Sequence, residues 1–399
     1  MSGMFRFLSE EQYCSIAKKI IELKPVSVTI TGGEPFLVFH KIKKAVEDLI
    51  EAEIHVSFNT NAGVLDNAII DFLLQHNISL FVSFPCSDEV ICNNIIGKEN
   101  GYNNVLRKLD LAYERGVKFN FNIVVSKMNI NTVQQSVCFL KQRYNISGIN
   151  ITRVGKPINS DASFDKYLLN KDDLKQLQDI CVFLHKKLNI TVGTSCPFTP
   201  CSLYSQEAFD LFGLVNICTA GKTSYAIDTS GNIKACPRDS TLYGNILNEQ
   251  FSEIWKRVGE WRNMSLIPYE CRECEYVQQC LGGCRVDSYP LTGKKNQLDT
   301  VSDISNLPIR YKKSTPRNNI LNETSEFIVS EKIVYVEDND CVRASVGKLY
   351  IYLTYPMYKF LSGRNAFTFY DFQSHFCVDA NLTKNALLSL ITKKIIRQV

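Results

Sequence analysis

The chain has 399 residues, too many for one ordinary domain, and its 45% apolar and 22% charged residues describe ordinary globular protein with no disordered or collagenous bias. The net charge of +4 is small for that length, and the short basic runs, Lys18-Lys19 and Lys312-Lys313, are scattered, which excludes a nucleic-acid footprint. The Met-Ser-Gly-Met-Phe-Arg start has no basic region ahead of an apolar core, and no apolar run is long enough for a bilayer, so a soluble cytoplasmic protein with no membrane partner is expected.

The first expected element is a helix, because Ser9-Glu10-Glu11-Gln12 reads as a capping box and Tyr13, Ile16, Ala17, Ile20 and Ile21 repeat on one face. Val26-Ser27-Val28-Thr29-Ile30 follows as a β-branched strand. It stops at Gly32-Gly33 and leads into a helical pattern through Val38, Ile42, Val46 and Leu49. The unit recurs, with strands near 55–59, 78–84, 118–125, 148–154 and 190–193 and helices near 66–76, 102–115, 131–143 and 171–188. Six strands alternating with helices imply a parallel sheet, either doubly wound or an open barrel.

After about residue 195 the alternation gives way to cysteines, glycines and short elements as far as about residue 300. Residues 303–325, with Leu307-Pro308 and Thr315-Pro316, read as a linker. The last unit has strand-like runs at Phe327-Ile328-Val329, Ile333-Val334-Tyr335-Val336 and Leu349-Tyr350-Ile351-Tyr352-Leu353. A helical pattern through Leu382, Ala386, Leu387, Leu390 and Ile391 follows, closed by Ile395-Ile396. Short strands with a terminal helix and wing suit a winged-helix module. The expected domains are residues 1–195, 196–302 and 326–399, with 303–325 as the connection.

Fifteen cysteines, an odd number without an export signal, argue against a disulfide framework. Cys271-x2-Cys274-x5-Cys280-x3-Cys284 packs four thiols into fourteen residues around Gly282-Gly283, and Cys218-x12-Gly231-x4-Cys236 lies upstream. Thiolates this close repel one another unless a cation or cluster neutralises them, which selects zinc or iron-sulfur. A lone zinc knuckle accounts for the downstream four but needs neither Cys218, Cys236 nor the glycine before Cys236.

Cysteine, nine to fifteen residues, glycine, four residues, cysteine, then C-x2-C-x5-C-x3-C resembles the signature of the SPASM domain, which follows the catalytic barrel in many radical S-adenosylmethionine (SAM) enzymes. Cys218-Thr219-Ala220-Gly221, Ile227-Asp228, Gly244-Asn245-Ile246 and Glu253-Ile254-Trp255 resemble its landmarks. The resemblance implies one [4Fe-4S] cluster held by Cys218, Cys236 and Cys284, with Cys201 or Cys196 as fourth ligand, and another held by Cys271, Cys274 and Cys280. The family's seventh cysteine falls where this chain reads Thr300-Val301-Ser302, so Asp299 and Cys341 are the candidates there, or the second cluster is open or absent. One or two auxiliary clusters are therefore expected.

Thr31-Gly32-Gly33-Glu34-Pro35, between a strand and a helix, resembles the family loop that meets the methionyl amino group of S-adenosylmethionine. Its glycines permit close approach at the carboxyl end of a strand. By the same resemblance Asn61, Ser83, Asn122 and Arg153 stand at further cofactor contacts. Read as residues alone, Asn61 is equally a turn residue, Ser83 a strand terminus, Asn122 a satisfied polar group and Arg153 a surface cation.

Family members open with a strand followed by CxxxCxxC, the ligands of the catalytic cluster, and this chain has no such spacing. Cys14, Cys86 and Cys92 are expected as buried small residues. No catalytic residue is assigned, and the sequence looks like a member that begins one strand too late. The fold expected is α/β: a partial (β/α) radical SAM barrel missing its first strand, a small Cys-rich SPASM domain and a winged-helix-like α+β unit. The function implied is maturation of a ribosomally made peptide or protein by radical hydrogen abstraction. Its leader would be met by edge-strand pairing, and a flavodoxin or ferredoxin would donate electrons. The alternative is a non-catalytic iron-sulfur protein that binds peptide or relays electrons for a complete partner enzyme.

Overall fold

The computed structural model describes residues 8–213, 218–304, 321, 324–338, 341–346, 349–376 and 380–398. Among these the chain divides into two compact units, one of residues 1–19, 29–46 and 57–313, the other of residues 20–28, 47–56 and 314–399.

The first half of the chain alternates helix and strand, with two successive helices between the third and fourth strands. In order these are α1 (Glu10–Glu22), β1 (Ser27–Ile30), α2 (Phe39–Glu51), β2 (His55–Thr60), α3 (Asn67–Gln75), β3 (Leu80–Ser83), α4 (Glu89–Ile96) and α5 (Gly101–Glu114). Then come β4 (Phe119–Val125), α6 (Val133–Tyr144), β5 (Gly148–Arg153), α7 (Lys171–Leu188) and β6 (Thr191–Gly193). The six strands form one sheet in the order β1-β2-β3-β4-β5-β6, with parallel pairing from β2 through β6. Because the order never reverses, right-handed crossovers put every helix on the same face. That is the arrangement of an open barrel rather than of a doubly wound sheet, whose order reverses at a switch point.

Side-chain parity shows the same division. Phe58, Leu80, Val82, Phe121, Ile123 and Ile151 are at most 1% exposed on one face. The alternate residues, Asn59, Ser83, Asn122, Asn150 and Thr152, are polar and point to the other. The register sets Ser83 beside Asn122, and Asn122 beside Asn150. One face is therefore core and the other is a polar surface at the carboxyl ends of the strands.

Helix signals explain the element boundaries. At α7 the Asn170 side chain accepts from the Asp173 N–H at 2.9 Å and Asp173 accepts from the Asn170 N–H at 2.8 Å, a reciprocal cap. Asn189 closes the same helix in a left-handed conformation. Helix α4 was not expected from sequence. Its eight residues are too few to display a period, and what starts it is the Asp88 side chain accepting from the Ile91 N–H at 2.9 Å.

Beyond β6 the elements shorten. Helix α8 (Gln206–Phe212) precedes an antiparallel meander of β7 (Ala226–Ile227), β8 (Asn232–Lys234) and β9 (Gly244–Asn245). Helices α9 (Phe251–Arg257), α10 (Val277–Cys280) and α11 (Arg285–Thr292) follow. The linker expected at 303–325 falls mostly outside the described residues.

The second unit contains β10 (Glu326–Val329), β11 (Val334–Asp338), β12 (Cys341–Val346), β13 (Leu349–Leu353), α12 (Tyr355–Ser362), β14 (Ala366–Thr368), α13 (Phe369–Phe376), α14 (Ala380–Thr392) and β15 (Ile396–Gln398). Strands β11-β12-β13 form one antiparallel sheet, and β10 lies between β14 and β15 in another. The sequence pattern showed neither β12 nor the helices α12 and α13. Phe327, Phe360, Phe369, Leu387 and Ile395 are core here, with Phe360 set edge-on to Phe367 and Phe372 at 5.1 and 5.4 Å between centroids. Among the described residues no helix is long and apolar enough to cross a membrane. Truncation of Phe360, 1% exposed, to alanine is expected to destabilise the second unit by about 3–5 kcal/mol, read as a lower denaturant midpoint of its near-ultraviolet circular dichroism.

Candidate functional site

The loop after β1 is held from below by its glutamate. Glu34 accepts the Thr60 hydroxyl at 2.7 Å, the Asn61 N–H at 2.8 Å and the Phe36 N–H at 3.3 Å, so one carboxylate ties the loops after β1 and β2 together. Thr60 in turn accepts the Ala62 N–H at 2.9 Å, and Asn61 accepts the Gly63 N–H at 2.8 Å. Pro35 is buried and opens a short 3-10 turn. Gly32 has φ +106°, a conformation that strains any side chain, and a Cβ added at Gly32 or Gly33 would meet no atom within 4 Å. The loop thus leaves open space beside exposed backbone.

Ser83 and Asn122 lie on the polar face of the sheet. Ser83 donates to Asn59 at 3.4 Å, while Asn122 accepts from Asn150 at 2.7 Å and Thr152 at 2.9 Å. Asn150 also reaches Ser195 at 2.9 Å. The structure therefore brings Asn59, Ser83, Asn122 and Asn150 into one polar row, with Asn61 in the loop beyond β2.

Arg153 points the other way. It is 3% exposed, with Nη2 bonded to both oxygens of Asp299 at 2.9 and 2.7 Å and Nη1 paired with Asp287 at 2.6 Å. The other oxygen of Asp287 pairs with Arg238 at 2.5 Å. Burial works against the Arg153 charge, but Asp299 and Asp287 outweigh it and its pKa is raised. Arg153 is no surface cation. Asp299 also accepts the Cys284 N–H at 2.6 Å and the Val301 N–H at 3.2 Å. Gly283, at φ +82°, permits this, since a Cβ there would lie 2.6 Å from the Asp299 and Thr199 side chains.

The thiols sort around that network. Cys196, Cys284 and a carboxylate oxygen of Asp287 lie within 4.8 Å of one another, and Arg238 approaches the Cys196 sulfur at 3.5 Å. The Cys284 thiol holds Cys196 down to about 7, with Arg153 and Arg238 adding to the effect, while Cys284 is pushed well up. Cys218 and Cys236 are electrostatic neighbours. Burial raises Cys271 to about 11 and Cys280 to about 12, and Cys201 adds to both. Cys274 acts on Cys271 in the same way.

Cys201 therefore keeps company with the downstream trio, and Cys196 with Cys284. The Cys201 thiol donates to the Thr199 hydroxyl at 3.3 Å, and that hydroxyl lies 3.4 Å from the Ser302 hydroxyl, in the stretch that aligns with the family's seventh cysteine. Cys86 and Cys92 are buried and Cys14 is half-buried. The side chain of Cys341 lies outside the described residues.

These residues fit iron-sulfur ligation on two counts. The donors are soft thiols whose charge, once buried, needs a metal to offset it. In addition, Arg285, 4% exposed beside Cys284, has Nε and Nη1 without a hydrogen-bond partner, and thiolates and cluster sulfides are acceptors for such groups. Local spacing could not reveal Arg238, Arg285 or Asp287 as parts of the site. Their only signal is nearness in sequence to Cys236 and Cys284. Replacement of Arg153 by alanine is expected to cost about 3–5 kcal/mol, because it strands the buried carboxylate of Asp299 and leaves Asp287 with Arg238 alone, and a fall in the urea midpoint of the first unit measures it.

Comparison with known proteins agrees with this geometry. Residues 1–140 match the family model of the radical SAM superfamily, and residues 218–281 match that of SPASM, an iron-sulfur cluster-binding domain. Mycofactocin maturase MftC of Mycolicibacterium smegmatis is 25% identical over 300 residues, covering 72% of this chain and 74% of that protein. PqqA peptide cyclase of Granulibacter bethesdensis is 21% identical over 316 residues, covering 75% and 79%. The crystal structure of Streptococcus suis SuiB bound to precursor peptide SuiA shares the fold, with TM-score 0.59 at 18% identity over 76% of this chain and 71% of that one. With six strands in sequential order ahead of a cysteine-rich region, the chain has a region at residues 1–140 that matches the radical SAM superfamily and one at residues 218–281 that matches the SPASM iron-sulfur cluster-binding domain.

Proposed function

We propose that this chain is a maturase that modifies a ribosomally made peptide or protein by radical hydrogen abstraction. S-adenosylmethionine would lie against Gly32, Gly33, Glu34 and Pro35, with Asn61, Ser83 and Asn122 beside it. Cys196, Cys218, Cys236 and Cys284 would hold one auxiliary [4Fe-4S] cluster, and Cys201, Cys271, Cys274 and Cys280 the other. The observation that carries this reading is the meeting of Cys196 and Cys284, from distant parts of the chain, at Asp287 beside Arg153 and Asp299. When bound, the clusters and S-adenosylmethionine supply one-electron and radical chemistry.

The residues of the chain bind and orient. Glu34 fixes two loops so that exposed backbone at Gly32 and Gly33 faces the ligand. Ser83, Asn122 and Asn150 present hydroxyl and amide groups on the face that no helix covers. Asp299 fixes the backbone at Cys284. A peptide substrate is supported by the relatives: one is named a peptide cyclase, and another has been solved with a precursor peptide. Strand β11 is an edge of its sheet, available for pairing with an extended leader. We assign residues 1–195 to the barrel, 196–302 to the cluster domain, 303–325 to a linker and 326–399 to a winged-helix-like leader-binding domain. A flavodoxin or ferredoxin would supply electrons.

Anaerobic reconstitution should give a brown protein with about eight iron and eight sulfide per chain. Cys201→Ser should lose about half of that iron, whereas Cys138→Ser, outside both sets, should lose none. A colourless protein that holds only zinc overturns the cluster reading. Turnover has a separate test. Residues 1–399 contain no CxxxCxxC, so on their own they should form no 5'-deoxyadenosine from S-adenosylmethionine above a blank. Formation at a catalytic rate would show that the radical-generating cluster has other ligands.

A further inference from the structure

Arg285 is a buried cation with no carboxylate to itself. Asp287, two residues on, has its oxygens within 2.6 Å of Arg153 and 2.5 Å of Arg238. Among the described residues Nε and Nη1 of Arg285 have no hydrogen-bond partner, although the side chain is only 4% exposed. Such a group is costly to bury, and the native state tolerates it only where something answers the charge. The neighbours in electrostatic reach are the thiols of Cys218, Cys284 and Cys280, in that order, and they come from both proposed cluster sets.

The guanidinium is also aimed. Its carbon stands 5.1 Å from the centroid of the Trp261 ring, and Trp261 is 2% exposed and donates its Nε1 hydrogen to the Tyr243 hydroxyl at 2.7 Å. Tyr243 is bonded in turn to Glu260. A locked indole therefore supports one face of the guanidinium and restricts where its N–H groups point.

We propose that Arg285 donates its Nε and Nη1 hydrogens to the sulfurs of the cluster held by Cys218, Cys236 and Cys284, and so sets that cluster's reduction potential. The proposal rests on the cluster reading given above. Reduction adds one negative charge to a buried centre, and a fixed cation with N–H donors at its sulfurs favours the reduced form. Arg285 is then a positioning and tuning residue rather than a ligand, and Trp261 is the platform that orients it.

The test uses the full-length, anaerobically reconstituted protein, titrated with dithionite and followed by electron paramagnetic resonance, with iron and sulfide measured on every sample. Wild type without iron would sink the cluster reading itself, before Arg285 is touched. With iron present, Arg285→Gln is expected to keep its iron and to disfavour reduction of one cluster at least tenfold, a shift of about 59 mV to more negative potential. Arg285→Lys, which keeps the charge but loses the planar fork, should fall between the two. Unchanged potentials in both variants overturn the proposal and leave Arg285 as packing on Trp261. If both variants lose iron, the metal-free proteins decide. An unaltered urea midpoint means that the guanidinium held the cluster, and a lowered one means that it held the fold, which overturns the proposal.

Discussion

The guanidinium of Arg153 sits in the interior with its charge intact, and a charge in that position dictates its surroundings. It demands carboxylates with good geometry, and Asp287 and Asp299 supply them from α11 and from a turn 146 residues away in sequence. The end of β5, the start of α11 and the segment around residue 299 are thereby tied into one block. Cys284 lies inside that block with its backbone N–H on Asp299, and Cys196, just past β6, meets it there. A buried ion pair is weak grounds for net stability, since two hydrophobic residues of similar volume often do as well. Its effect here is specification, because the pairing of Arg153 with Asp287 and Asp299 favours one arrangement of β5 and the cysteine loops.

Sheet order does for the cofactor end what the ion network does for the cysteines. A sequential parallel sheet carries its helices on one side, so the other side keeps polar residues that a doubly wound sheet would have had to bury under helices. Asn59, Ser83, Asn122 and Asn150 form a row of that kind, and Glu34 sets the loop above it. Arg153 belongs to the same strand as Asn150 but has the opposite parity, so residues three apart on one strand serve different ends of the molecule.

Much of this was legible in the sequence, for reasons that also explain what was not. The strands of the barrel were visible because β-branched runs alternate with helical periods, and both signals are local. The spacing around Cys218, Cys236 and Cys271 to Cys284 is local too. The choice between Cys196 and Cys201 was not legible, because both lie the same way upstream and only the fold separates them, one toward Cys284 and the other toward Cys271 and Cys280. Arg153 was read as a cofactor contact or a surface cation, and its buried pairing with Asp287 and Asp299 was not legible because those partners are remote. Helix α12 has only eight residues, too few to display a period, and it starts with proline in its first turn behind the Thr354 cap.

The interleaving of the two cysteine sets has a consequence for biosynthesis. Cys196 and Cys284 enclose every other thiol of the array, and the N–H of Cys284 is fixed by Asp299, still further along the chain. A nascent chain presents Cys271-x2-Cys274 as a local chelate before the segment that anchors Cys284 has been made. On the proposed ligand sets, the site that includes Cys284 is incomplete at that stage, while Cys201, Cys271, Cys274 and Cys280 can already capture a soft ion. On that assignment, loading of the site that includes Cys284 would wait for the segment around Asp299.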